Sequence, residues 1–229
     1  MLNNIPHLPV PMFFDYEKMA QEVSQIPYEF PDYVSGLSNG INMELYKSNW
    51  KSLALYSIDG SVNSDPREPW TGEFKKTELN CPYIYGVLDS IGCSLLARIE
   101  IIMPNASVGW HSHVMEGKQP EWISILQFPI IMPEDSKYSV VSYMDYRGSD
   151  YKKKFKVYEE RYKPGQVYVL NSYHYHNAFN YSEKPMVMVR VYVDNRDPAI
   201  KYLLEKSIDY YNGEYIQTYE DYINSIGLT

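Results

Sequence analysis

Four of the five histidines fall into two His-x-His pairs, His111-Ser112-His113 and His174-Tyr175-His176, about sixty residues apart. Both lie in stretches that alternate as β-strands do. Side chains at i and i+2 of a strand share a face, so each pair aims two imidazoles into one space. Two such strands facing each other across a small barrel would make a nitrogen-rich cage suited to a borderline transition metal such as Fe(II). A lone strand histidine is usually a hydrogen-bonded core or surface residue. Two pairs in a barrel pattern shift the expectation to ligation, led by His111 and His176. His113 is a candidate third ligand, and His174 a residue that lines the pocket or orients a ligand.

The elements that must hold these pairs follow from the apolar pattern. Strands are expected at Trp50–Ile58, Leu96–Met103, Trp122–Ile131, Gln166–Leu170, His174–Phe179 and Pro185–Asp194, with a hairpin of Ser139–Tyr146 and Tyr151–Tyr158 about Arg147-Gly148-Ser149-Asp150. The unbroken apolar run Trp122–Ile131 fits a strand buried on both faces. Asp15 is placed to cap a helix with Tyr16, Met19, Val23 and Ile26 on one side, Pro82 to open a second that Gly92 stops, and Asp197-Pro198 to open a closing helix through Leu203 and Leu204. About eight short strands around a polar interior make a mainly β fold, a jelly-roll barrel with flanking N- and C-terminal helices. A single domain over 1–229 is expected, with an N-terminal approach at 1–94, the β core at 95–195 and a helical tail at 196–229.

The formal charge of -8 and a pI near 5.2 exclude sequence-independent binding to nucleic acid or anionic membranes. The basic run Lys152–Lys156 is answered by Glu159 and Glu160 and reads as a solvated strand edge. Two cysteines, Cys81 and Cys93, are too few for a disulfide framework. Met1–Pro6 lacks the basic and apolar regions of a signal peptide, and no apolar run reaches the ~20 residues of a membrane span, so a cytoplasmic protein is expected. The 24 tyrosines suit strand surfaces and a half-polar pocket.

Gly165 through His176 to Asn180 keeps the glycine-to-histidine-to-asparagine spacing of the second cupin motif, with Asn171 and Tyr173 in place of the usual proline and glycine. Ala97–Asn105 followed by His111-x-His113 resembles the first half of the metal site in the aspartyl/asparaginyl β-hydroxylase family of Fe(II)/2-oxoglutarate oxygenases. Trp50–Tyr56 resembles that family's early tryptophan strand and Cys81-Pro82 its helix start, so the likeness covers roughly residues 45 to 195. It implies a double-stranded β-helix and places His111, His176 and His113 at the iron, His113 standing where many relatives carry an aspartate. It also implies 2-oxoglutarate as cosubstrate, with one carboxylate on Arg190 and Tyr192. Ser124 is a further candidate contact, because Trp122-Ile123-Ser124 occupies the place of the family's Arg-x-His. The implied reaction is hydroxylation of an unactivated C–H bond in an amino-acid-like small molecule or a peptide Asp, Asn or Pro side chain. Two rivals stand beside it: a three-histidine cupin dioxygenase or isomerase that works without 2-oxoglutarate, and a non-catalytic ligand-binding barrel. Glu116 reads as a turn residue, with a cupin-type carboxylate ligand as its alternative, Arg98 as a structural arginine, Asn180 as a turn stabiliser and Trp110 as a pocket wall, while a salt bridge to Asp194 or another strand-face carboxylate explains Arg190 as well as a cosubstrate contact does.

Overall fold

The chain alternates short β-branched and aromatic runs with polar turns, and the computed structural model resolves these runs into two antiparallel sheets. It describes residues 5–31, 50–63, 72–93, 95–113, 122–141 and 156–213. The strands are β1 (His7–Phe13), β2 (Trp50–Ser57), β3 (Lys75–Lys76), β4 (Ala97–Ile102), β5 (Ala106–Ser107), β6 (Ile123–Ile131), β7 (Ser136–Val141), β8 (Val157–Glu160), β9 (Gln166–Leu170), β10 (His176–Asn180) and β11 (Met186–Asp194). Three helices accompany them: α1 (Tyr16–Ser24), α2 (Pro82–Ser90) and α3 (Pro198–Asp209). One sheet has the order β1-β9-β6-β11-β4-β2-β3, the other β5-β10-β7-β8. Facing each other, they form the jelly-roll, cupin-like barrel expected from the sequence.

The two faces of the large sheet do different jobs. Val187, Val189, Val191 and Val193 of β11 join Leu53, Leu55, Ile99, Leu126 and Phe128 on the outer face, where Met19 of α1, Ile84 and Leu88 of α2 and Ile200 and Leu204 of α3 cover them. Each such buried side chain contributes ~1.5–3 kcal/mol. The alternate residues of the same strands point into the barrel. Met186 and Met188 of β11, Trp50 of β2 and Ile102 of β4 pack there against Tyr138 and Val140 of β7 and Ala178 of β10.

The helices begin where their caps predict. Asp15 Oδ1 accepts from Lys18 N–H at 3.1 Å, and Asp197 Oδ1 from Ala199 N–H at 2.8 Å. Cys81 and Cys93 are free thiols, and no helix of the described residues is long and apolar enough to cross a membrane. Asn180 holds the turn before β11: its Nδ2 donates to the carbonyls of Ile102, Met103 and Lys184 at 2.8–3.1 Å, and its Oδ1 accepts from Ser182.

Two features depart from the sequence expectation. His7–Phe13 forms β1, an edge strand paired antiparallel with β9, despite Pro9 and Pro11. An edge tolerates prolines because it leaves one side of the ladder unpaired. The expected hairpin forms as β7 and β8, with Tyr138 opposite Glu160 and Val141 opposite Val157, while its turn and Lys152–Phe155 lie outside the described residues.

Candidate metal centre

β10 begins at His176, and the segment leading away from β5 brings His111 directly opposite. The two residues form an isolated antiparallel bridge: His111 N–H donates to His176 O at 3.1 Å, and His176 N–H to His111 O at 2.9 Å. His113 N–H donates to the carbonyl of Ser172 at 3.1 Å, which ties the second histidine of that pair to the loop entering β10. Gly109 bends the chain just before the bridge with a φ of 89°, and its N–H donates to Asn177 Oδ1 at 2.9 Å. A left-handed φ at that point suits glycine.

The three rings converge. Centroids of His111 and His176 are 4.3 Å apart, of His113 and His176 5.0 Å, and of His111 and His113 5.2 Å. One ring nitrogen from each lies within 4.8 Å of the others. The backbone fixes which nitrogen faces inward: His111 Nδ1 lies 2.8 Å from Gly109 O, and His176 Nδ1 lies 2.9 Å from His174 O. A carbonyl only accepts, so each Nδ1 carries the proton and each Nε2 presents a lone pair. His176 Nε2 is buried with no hydrogen-bond partner among the described residues. Burial, reinforced by the neighbouring His111 and His113, holds the His176 imidazole well below its ordinary pKa, so it is neutral. An orphaned buried lone pair beside two more imidazoles fits a transition metal such as Fe(II), Zn(II) or Co(II). Among the described residues no carboxylate joins this cluster. Glu116 lies outside them, and His174 contributes its backbone carbonyl.

The next layer of the barrel holds the other candidate residues. Arg190 pairs in register with Arg98 of β4 and Gln127 of β6, and by alternation Tyr192 shares its face. Arg190 is buried, and its Nη2 lies 3.1 Å from Glu100 Oε2, itself fully buried on β4. The Arg190 guanidinium also stands 5.4 Å from the Trp50 ring. Asp194, the other carboxylate considered for Arg190, instead pairs with Arg196 at 2.7 Å. Burial pushes the Glu100 carboxyl up, against the opposing pull of Arg190 and Arg98. Arg98 Nε donates to Ser52 Oγ at 2.7 Å. Ser124 is not brought to this layer: it pairs with Val193, three residues from Gln127, and so falls on the opposite face of β6. Trp110 is 42% exposed and meets Phe179 edge-on, outside the histidine cluster.

Three residues at this site escaped the sequence reading. Glu100 was legible, because Arg98 and Glu100 share a face of an otherwise apolar strand. Gln127 carried no signal, being a single amide in an apolar run, and Asn177 stood unremarked beside the histidine pair it follows. Gln127 is fully buried and neither amide atom has a hydrogen-bond partner among the described residues. Such a group costs ~1–3 kcal/mol. Gln127→Leu in the ligand-free protein is therefore expected to raise the melting temperature by about 2 to 12 °C, given a cost of ~1–3 kcal/mol and ~2–4 °C per kcal/mol at this size. A calorimetric melt checks this, and a fall of several degrees would mean that the amide is satisfied.

Fold and site together define a double-stranded β-helix of the cupin type with a three-histidine cluster where β10 begins. No protein-family model and no curated protein matches the sequence. Among solved structures, a 2OG-Fe(II) oxygenase family protein from Burkholderia pseudomallei aligns over 83% of this chain and 85% of its own, at 11% identity and a TM-score of 0.50. A non-haem monooxygenase, ThoJ, in complex with nickel aligns over 85% and 76%, at 9% identity and a TM-score of 0.46. A cupin domain from Bordetella pertussis aligns over 42% and 77%, at 16% identity and a TM-score of 0.27. The first of these likenesses supports the fold.

Proposed function

We propose that this protein is a mononuclear iron oxygenase that acts on a small, carboxylate-bearing molecule and uses 2-oxoglutarate as cosubstrate. The observation that carries the metal reading is the convergence of His111, His113 and His176, with one nitrogen of each within 4.8 Å of the others. When bound there, iron supplies dioxygen activation. The chain's own residues do the rest. The carbonyls of Gly109 and His174 hold two imidazoles in the ligating tautomer, and the His111–His176 bridge fixes their separation.

Support for a carboxylate ligand comes from the layer beneath. Two guanidiniums, Arg98 and Arg190, and one carboxylate, Glu100, stand there among the described residues. A ligand carboxylate entering from the metal side is thus met by positive charge, with Arg190 and Tyr192 to receive it and the amide of Gln127 to orient it. Amino-acid-like molecules and peptide side chains are the substrate classes this supports, in a cytoplasmic setting consistent with free thiols.

One observation favours a second reading, a three-histidine dioxygenase that works without 2-oxoglutarate. Arg190 Nη2 already has Glu100 at 3.1 Å, and a histidine stands where a carboxylate ligand would complete the commoner triad. Anaerobic titration of the Fe(II)-loaded protein with 2-oxoglutarate separates the two. The leading reading expects a visible metal-to-ligand charge-transfer band that saturates with added cosubstrate. Bound iron with no band at millimolar 2-oxoglutarate gives the site to the second reading.

A further inference from the structure

A second constellation stands apart from the histidine cluster. Tyr162, in the turn between β8 and β9, is fully buried between two other tyrosine rings. Tyr138 of β7 stacks on it at 4.6 Å and 20°, and Tyr168 of β9 at 4.1 Å and 10°. Its hydroxyl lies 3.0 Å from His7 Nδ1, and His7 Nε2 lies 3.2 Å from the carbonyl oxygen of Tyr158. The carbonyl has no hydrogen to give, so Nε2 carries the imidazole proton. Nδ1 is then the acceptor and the Tyr162 hydroxyl the donor. Burial drives the His7 pKa down to about 4, which keeps the ring neutral at ordinary pH. Tyr162 is thus a phenol sealed from solvent with a base held in place to take its proton.

The stack connects two regions. Tyr138 reaches into the barrel, where its hydroxyl meets Met188 Sδ. Two residues along its strand and on the same face, Val140 pairs with His176. Tyr138 is thus the diagonal cross-strand neighbour of a candidate metal ligand, at ~7–8 Å between Cα atoms. At the other end, Tyr168 lines an open surface groove together with Tyr158 and Tyr210, the last 76% exposed.

We propose that Tyr162 and His7 form a redox-active pair at the centre of a tyrosine relay that carries an oxidising equivalent from the barrel interior to this groove. In the step itself a one-electron oxidant removes one electron from Tyr162. The O–H bond breaks, the proton passes to His7 Nδ1, and a neutral tyrosyl radical and an imidazolium result. When Tyr168 gives an electron to the Tyr162 radical, the proton held on His7 returns to Tyr162, and the radical passes to Tyr168, whose own hydroxyl proton leaves to water in the groove it lines. A one-electron reductant such as a thiol or ascorbate, arriving at the groove, gives Tyr168 an electron and a proton and restores its phenol. The relay rests on the proposed oxygenase only for its natural oxidant, which would be produced when oxygen is activated without a substrate to consume it.

The test therefore supplies its own oxidant. The metal-free full-length protein is photo-oxidised with ruthenium tris-bipyridyl and persulfate, frozen, and read by high-field electron paramagnetic resonance. The expected result is a long-lived tyrosyl signal with the lowered g value of a radical hydrogen-bonded to imidazolium, and with a proton coupling lost in D2O. Tyr162→Phe, which keeps the ring stack, loses most of that signal. His7→Gln shortens its lifetime, and this second variant serves if the first does not fold. An undiminished signal in Tyr162→Phe, or no radical outliving those of exposed tyrosines, overturns the relay. Co(II) binding at the three histidines, followed by its visible bands in the same preparations, shows independently whether the metal reading stands.

Discussion

Replacement of His111 or His176 by alanine is expected to strip the protein of bound metal while the barrel persists. Each ligand reaches the site from a backbone position that alanine preserves, because the two residues pair through main-chain hydrogen bonds of 3.1 and 2.9 Å. The fold therefore loses an imidazole and keeps the bridge. The metal loses one of three donors, and no carboxylate of the described residues is placed to replace it. Loss of a residue that only orients a ligand costs ~10–100-fold in affinity. Loss of the ligand itself should exceed that range. Metal per chain by mass spectrometry, Co(II) absorption bands and circular dichroism together give the answer. Full occupancy in either variant would remove that histidine from the site.

Arg190→Met has the next largest expected effect, and it falls on stability as well as on cosubstrate binding. Removing one member of a buried pair strands the other, at ~3–5 kcal/mol. Here the stranded group is Glu100, whose carboxyl burial already pushes above its usual value. A raised carboxyl pKa means that the folded state holds its proton to higher pH than the unfolded chain does. Stability contributed this way is present at acid pH and is lost as pH rises through the folded value. The variant should accordingly resist urea better at pH 5 than at pH 8, and Glu100→Gln in the same chain should restore much of the loss. In that double variant the KM for 2-oxoglutarate is expected to rise ~10–100-fold, the equivalent of one charge-assisted contact of ~1.5–3 kcal/mol. An unchanged KM would make the guanidinium purely structural.

The sequence made the strands legible because most of them are buried on at least one face. Gln166–Leu170 was placed to the residue, and Trp50, Leu96, Trp122 and Pro185 marked the starts of β2, β4, β6 and β11 to within one residue. What escaped was decided by partners far away in the chain. β1 is a strand only because β9 offers it an edge, and its two prolines argue against it locally. The i, i+2 spacing predicted that His111 and His113 share a face, as it did for His174 and His176. It did not predict that one pair would supply two rings while the other supplied a ring and a carbonyl. That difference arises in the turn before β10, where His176 Nδ1 takes the carbonyl of His174. For Arg190 the sequence left the choice between Asp194 and another strand-face carboxylate open, because Asp194 is near in sequence while Glu100, the one it meets, is near only in space.

The tethering of His111 and His176 to carbonyls two residues behind them has a consequence for how such a protein can diverge. In many metal sites a neighbouring side chain sets the ligand's tautomer, and that side chain cannot drift without harm. In the proposed site two of the three ligands are set by main-chain carbonyls, which side-chain substitutions leave in place wherever the backbone conformation, including the left-handed φ of 89° at Gly109, is kept. The residues lining the remainder of the barrel are therefore released from the duty of aiming these two imidazoles. They are free to change, so on the proposed function a lineage built on this frame can exchange one substrate for another without first rebuilding the proposed metal site.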